Sequence, residues 1–281
     1  MEGPNRELRV QSAAVDTHCH LFLLERDVGE VLEEARAAGV GTVICPGIDP
    51  ESSHRAVELA ESHPDVFATA GMHPHEASGF DARARSEIET LLANPQVVAV
   101  GECGLDFYRM HSPREVQVRV LTEHVAIARD AGLPLVVHVR EAWPEILRLL
   151  DEGSADVVLH CFTGDVATAL ECADRGWHLS FAGNITYPKN AQIRAAAAAV
   201  PLERVLVETD SPFLAPHRIR GRDNAPANVV DVIETIASVR EETVENVRTA
   251  TSRNASNAFP RLRWAQRPEN PPNGRSVSSL Q

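Results

Sequence analysis

Residues 134–162, PLVVHVREAWPEILRLLDEGSADVVLHCF, contain one full turn of the pattern that decides the fold. A β-branched apolar run from Leu135 to His138 leads into a segment of helical period starting near Glu141, and a second such run, Val157 to His160, follows it. Strand, helix and strand in that order describe a right-handed crossover between parallel neighbours. Both strands end on a histidine.

The same alternation extends in both directions from this stretch. Strands are expected at Ala13 to Thr17, Gly41 to Cys45, Val66 to Ala70, Val97 to Gly101, His178 to Phe181 and Val205 to Glu208. Helices are expected to start near Val28, Pro50, Ala82, Pro113, Asp165, Pro188 and Pro226, with proline favoured in the first helical turn. Asp49 and Ser112 precede prolines as candidate N-caps, while Gly39 and Gly132 follow helical runs as C-terminal caps. Eight strand–helix units predict an α/β fold closed as a (β/α)8 TIM barrel, for which a chain of 281 residues is ample. A doubly wound open sheet is disfavoured, because the first turn, DTHCHLFL, lacks a glycine-rich phosphate fingerprint. The expected organisation is an N-terminal arm over 1–12, a barrel domain over 13–261 and a tail over 262–281. The tail is rich in Pro, Asn, Arg and Ser and reads as disordered.

Hydrophobic residues make up 43% of the chain and charged residues 24%, so there is enough apolar material for one core. With 27 Lys and Arg against 40 Asp and Glu, the formal charge is −13. That balance opposes a broad electrostatic grip on nucleic acid, and a phosphate substrate would need bound cations to hold it. Five cysteines without a C-x-x-C read as reduced thiols. No stretch is long and apolar enough for a signal peptide or a membrane span, so the expectation is a cytoplasmic protein with no membrane partner.

Histidines and carboxylates stand where the strands end: His18 and His20 after the first, Glu102 after the fourth, His138 at the fifth, His160 at the sixth and Asp210 after the eighth. In a barrel these ends converge on the face that carries the active site. His18 and His20, two apart in extended chain, point to one side at roughly 6.5 Å, a spacing that suits two imidazoles on one cation. VVAVGE and VLVETD each close an apolar run with a carboxylate, a placement that needs a partner or a metal. Six nitrogen and oxygen donors exceed the four of a structural zinc, so two divalent ions (Zn, Mg or Mn) are expected, with Glu102 able to bridge them. His73, in GMHPH, and Arg140 are candidate contacts for a substrate phosphate. His54, His63, His111, His124 and His178 fall outside the converging set and read as structural.

In order along residues 14 to about 259, the motifs DTHCH, GMHPH, GECGLDFY, HVREA, HCFTG, ETDSP and RGRDNAP resemble the TatD family of metal-dependent hydrolases. The resemblance implies one metal held by His18, His20, Glu102 and Asp210, and a second held by Glu102, His138 and His160. It also implies that Asp210 accepts the proton of the attacking water, that His73 and Arg140 approach the substrate phosphate, and that Asn224 lies near the mouth. The implied activity is that of a deoxyribonuclease removing nucleotides from the 3′ ends of single-stranded DNA. Some relatives deacylate misacylated tRNA, which makes D-aminoacyl-tRNA deacylation the competing enzymatic reading. A barrel without turnover, binding metal or a partner, is the competing non-enzymatic one. Where the family often has H-x-H-L-D, this chain has Phe22 in place of the aspartate, a change beside the metal site that removes no ligand.

Overall fold

The computed structural model describes residues 13–150 and 156–262. Eight parallel strands lie in sequence order: β1 (Ala14–Asp16), β2 (Val40–Pro46), β3 (Val66–Ala70), β4 (Val97–Asp106), β5 (Leu135–Arg140), β6 (Val157–Leu159), β7 (His178–Phe181) and β8 (Val205–Val207). The gap between β8 and β1 is bridged toward their C-terminal ends. There Thr17 donates its N–H to Val207 O at 3.1 Å, Asp210 donates to His18 O at 2.8 Å, and Cys19 and Ser211 form a parallel bridge. The result is the expected (β/α)8 barrel. The arm over 1–12 and almost all of the tail over 262–281 lie outside the described residues.

Nine α-helices are described: α1 (Val28–Ala37), α2 (Pro50–Ser62), α3 (Ala82–Leu91), α4 (Arg114–Ala131), α5 (Trp143–Leu149), α6 (Val166–Asp174), α7 (Ala191–Ala199), α8 (Val229–Arg240) and α9 (Val244–Ala258). Asp49 caps α2 in a reciprocal box with Ser52, and Gly132 ends α4 at φ 62°. Ser112 does not cap α4. Its hydroxyl donates to His75 O and accepts the Ser78 N–H, so it ties a loop at the mouth of the barrel. The helix expected from Glu141 starts at Trp143, because Glu141 sits at φ 53°, outside the helical region. The segment after Pro188 becomes helical only at Ala191, and Pro226 opens a short 3-10 turn ahead of α8.

Strand alternation sorts the core into two regions. Ala14, Val43, Val66, Val97, Leu135, Val157, Leu179 and Val205 belong to the large core that also contains the buried faces of the helices. Val15, Ile44, Phe67, Val98, Val136, Val158 and Leu206 fill the lumen, and Ala255, Ala258, Phe259 and Leu262 from the end of α9 and just beyond pack with them. Because side chains repeat every two residues along a strand, the next inward positions are His138 after Val136, His160 after Val158 and Glu208 after Leu206. The lumen therefore changes from hydrocarbon to titratable groups within one step.

Candidate metal centre

Glu102 stands at the middle of this polar layer. Its strand runs through two glycines, and the pairing of β4 with β5 shifts register between Val100 and Cys103, a local irregularity of the kind that re-aims a side chain. Gly101 has φ 132°, and a Cβ placed there would come within 2.5 Å of the Val136 carbonyl oxygen, so only glycine fits beside the carboxylate. Thr69 Oγ1 donates to Gly101 O, and the Glu102 N–H donates to Gly47 O at 2.8 Å.

The two carboxylate oxygens of Glu102 face different partners. Oε2 lies 3.2 Å from His18 Nε2 and 4.0 Å from His20 Nε2, and Asp210 Oδ1 lies 3.4 Å from that same His20 nitrogen. Oε1 lies 3.0 Å from His160 Nε2, 3.2 Å from His138 Nδ1 and 3.4 Å from His73 Nε2. Four of the residues singled out at the strand ends, His18, His20, His138 and His160, thus face the carboxylate of a fifth, Glu102, and the sixth, Asp210, stands beside His20. His73 joins them, nearer the carboxylate than a purely peripheral phosphate contact would be.

His18 Nε2 is buried and makes no hydrogen bond, although a carboxylate oxygen faces it at 3.2 Å. Buried polar atoms are normally paired, and an imidazole lone pair aimed at an anionic oxygen is the arrangement that a shared cation would satisfy. The donor set is imidazole and carboxylate without thiolate, which suits Zn²⁺, Mn²⁺ or Mg²⁺. Among the described residues, His18, His20 and Glu102 form one cluster compact enough to hold an ion, His73, Glu102 and His138 a second, and His18, His160 and Glu208 a third.

Burial alone would raise the Glu102 carboxyl, but His160, His73 and His18 around it outweigh that and hold it well below the usual carboxylate range. His160 is the converse case. Burial disfavours its imidazolium, yet Glu102 and Glu208 hold it well above its ordinary value. Burial lowers both His18 and His73, which keeps these imidazoles neutral and their lone pairs free. Asp210 is pulled down by His20, His160 and His18 against the effect of burial.

Three buried carboxylates missed in the sequence reading orient this set. Glu208 Oε1 is 3.1 Å from His160 Nδ1 and accepts the Cys161 N–H. Asp106 Oδ2 is 2.8 Å from His75 Nε2 and 3.6 Å from His138 Nε2. Asp16 accepts from the Thr209 N–H and hydroxyl and from the His18 N–H, tying the His18 turn to the Asp210 turn, and burial pushes its carboxyl up to about 8. Carboxylates behind metal-binding imidazoles fix the ring's tautomer and direction. Strand parity could have revealed Glu208, which shares the inward register of Leu206.

The remaining candidates take distinct places. Arg140 is exposed at the end of β5, its Cζ 4.1 Å from the Tyr108 ring centre. Asn224, only 1% exposed, donates to Thr209 O at 3.0 Å and Phe213 O at 2.8 Å, so it holds a loop together rather than facing a ligand. His124 and His178 are buried away from the cluster, as expected of structural residues. His111 is a correction: its ring lies 4.3 Å from that of His75, which puts it at the edge of the site.

A family model described as TatD related DNase matches residues 15–260. The chain is 36% identical over 249 residues to a protein named uncharacterized metal-dependent hydrolase YabD of Bacillus subtilis, covering 87% of this chain and 98% of that one. It is 35% identical over 242 residues to a Klebsiella pneumoniae protein named 3′-5′ ssDNA/RNA exonuclease TatD, covering 83% and 92%. The crystal structure of YjjV, a TatD homologue from Escherichia coli, superposes with a TM-score of 0.82 at 29% identity, covering 89% of this chain and 99% of that one.

Proposed function

The chain belongs to the TatD-related DNase family and is a metal-dependent hydrolase, and from that premise we propose that it is a nuclease trimming single-stranded DNA from its 3′ end. The observation that carries the reading is the division of labour at Glu102, one oxygen facing His18 and His20 and the other facing His138 and His160. Such a carboxylate suits a bridge between two cations. In this reading His18, His20, Glu102 and Asp210 would hold one divalent ion, and Glu102, His138 and His160 would hold the other. Ions so placed supply Lewis acidity and positive charge at a phosphodiester and make water easier to deprotonate.

The side chains do the rest. In this reading Asp210, whose Oδ1 lies on the His20 side of the cluster, takes the proton of the attacking water. Attack at phosphorus breaks the bond to the 3′ oxygen, so a 5′-mononucleotide leaves and the shortened strand keeps a 3′-hydroxyl. His73 and Arg140 flank the His138 side and are suited to steady the phosphate oxygens. A Klebsiella pneumoniae relative carries the name of a single-strand exonuclease, which supports the choice of substrate.

The test uses metal-reconstituted protein and 5′-labelled single-stranded DNA, with metal content measured in parallel. Progressive shortening is expected, and Glu102→Ala should lose both metal and cleavage. Asp210→Asn should lose cleavage by a factor of about 100 or more, as expected for a general base. Equal shortening by both variants would sink the assignment.

A further inference from the structure

Two large aromatic side chains are left exposed at the mouth: Tyr108 at 56% and Phe213 at 52%. They stand on opposite sides of Glu102. The Phe213 ring lies 5.9 Å from His20, on the Oε2 side, while Tyr108 carries the guanidinium of Arg140, two residues past His138 on the Oε1 side. Phe22 also meets His20 edge-on, at 5.9 Å between ring centres.

Their backbones are held although more than half of each side chain is exposed. Asn224 holds the Phe213 carbonyl, and the Phe213 N–H donates to Asp210 O at 2.8 Å. The Tyr108 and Arg109 N–H groups both donate to Asp106 Oδ1, at 3.0 and 2.8 Å, from the carboxylate whose other oxygen pairs with His75. Exposed aromatic rings on fixed backbone lose little freedom when a flat partner stacks on them.

Resting on the nucleic-acid reading above, we propose that Phe213 and Tyr108 are stacking platforms for the two bases flanking the scissile phosphodiester, with Arg140 serving the phosphate beside Tyr108. Stacking is tolerant of base identity because every base has a π-face, and it requires bases free of a duplex. It also answers the charge problem. A chain of net charge −13 cannot hold a strand by phosphate contacts spread over its surface, so grip must come from cations at the centre and from rings beside it. Single-strand preference then follows from the mouth of the barrel rather than from the metal ligands.

The experiment pairs binding with kinetics. Metal-loaded protein is mixed with a phosphorothioate-linked single strand carrying 2-aminopurine at its two 3′-terminal positions, and fluorescence is read. Quenching is expected on binding. Phe213→Ala and Tyr108→Ala should each weaken binding by about tenfold or more. On a cleavable strand the loss should fall mainly on KM, and Phe213→Tyr and Tyr108→Phe should restore it. An abasic residue at the matching position should erase the difference between wild type and the alanine variant. Unchanged binding and KM in both alanine variants, or equal losses on abasic strands, overturn the stacking proposal while leaving the nuclease reading intact. Quenching that depends on both rings without cleavage of any strand would support stacking and overturn the nuclease reading.

Discussion

Glu208 Oε1 lies 3.1 Å from His160 Nδ1 while His160 Nε2 lies 3.0 Å from Glu102 Oε1, so one imidazole spans two carboxylates. With a cation at Nε2, the outer carboxylate would accept the Nδ1–H hydrogen bond and so fix Nε2 as the lone-pair nitrogen. The Cys161 N–H holds the same Glu208 oxygen at 2.8 Å, which fixes the carboxylate as well as the ring. Glu208→Gln keeps the shape but loses the charge, and Glu208→Ala loses both. Metal affinity measured by chelator competition should fall about 10- to 100-fold in the alanine variant and less in the glutamine variant. Affinity unchanged in Glu208→Ala would show that His160 needs no support from behind.

Removal of metal should cost stability as well as activity. The centre brings Glu102 to 3.2 Å from His18 and 3.0 Å from His160, and Asp210 to 3.4 Å from His20, and cations bound only in the native state add free energy by mass action. At metal a hundredfold above the dissociation constant the gain is about 2.7 kcal/mol per site. Tm by calorimetry should fall on adding chelator and return with Zn²⁺ or Mn²⁺. A Tm indifferent to chelator would argue against cations at Glu102.

Gly101 offers a test of the β4 irregularity. In Gly101→Ala the new methyl meets the Val136 carbonyl oxygen at 2.5 Å in a backbone conformation that alanine rarely adopts. Stability should fall by about 2 kcal/mol or more in urea unfolding, with weakened metal binding alongside because Glu102 is the next residue. Near-wild-type values for both would mean that β4 can relax without moving Glu102.

His124 makes the acid side of the stability curve steeper. It is buried, its Nε2 accepts the Met72 N–H and its Nδ1 is 2.8 Å from Val120 O, and burial pushes it down from 6.5 to about 4. A folded-state value below the unfolded one means that its contribution is complete above pH 6.5. It is then lost as pH falls toward 4, where both states carry the proton. The loss amounts to roughly 3 kcal/mol, at 1.36 kcal/mol per unit. His124→Gln should be less stable than wild type at pH 7 and lose less further stability between pH 6.5 and 4.5. Parallel curves for the two proteins would remove His124 from the acid response.

The sequence carried the barrel because seven of its strands are short apolar runs bounded by turn residues, and β3 and β7 match their expected limits. β4 was cut short at Gly101 because GECGLD reads as a loop, two glycines being poor strand formers, whereas it continues the strand to Asp106. The six strand-end residues, Glu102 and the five gathered about it, were legible from position, since each stands at or just past the end of a strand-like run. Glu208, Asp106 and Asp16 were not read out because they act through residues distant in sequence, as when Glu208 supports His160 across 48 positions. Ser112 shows a local signal overridden. It has the form of a cap before Pro113, but the His75 carbonyl and the Ser78 N–H take its hydroxyl.

The lumen's floor is made of Ala255, Ala258, Phe259 and Leu262, and Ser252 on the same helix reaches back across 239 positions to donate to Ala13 O. The first strand, which leads straight into His18 and His20, pairs with β2 on one side, but its other neighbours, β8 and α9, come from the far end of the chain. Contacts this remote in sequence slow folding, so closing the barrel beside His18 and His20 depends on a helix that supplies none of the six site residues.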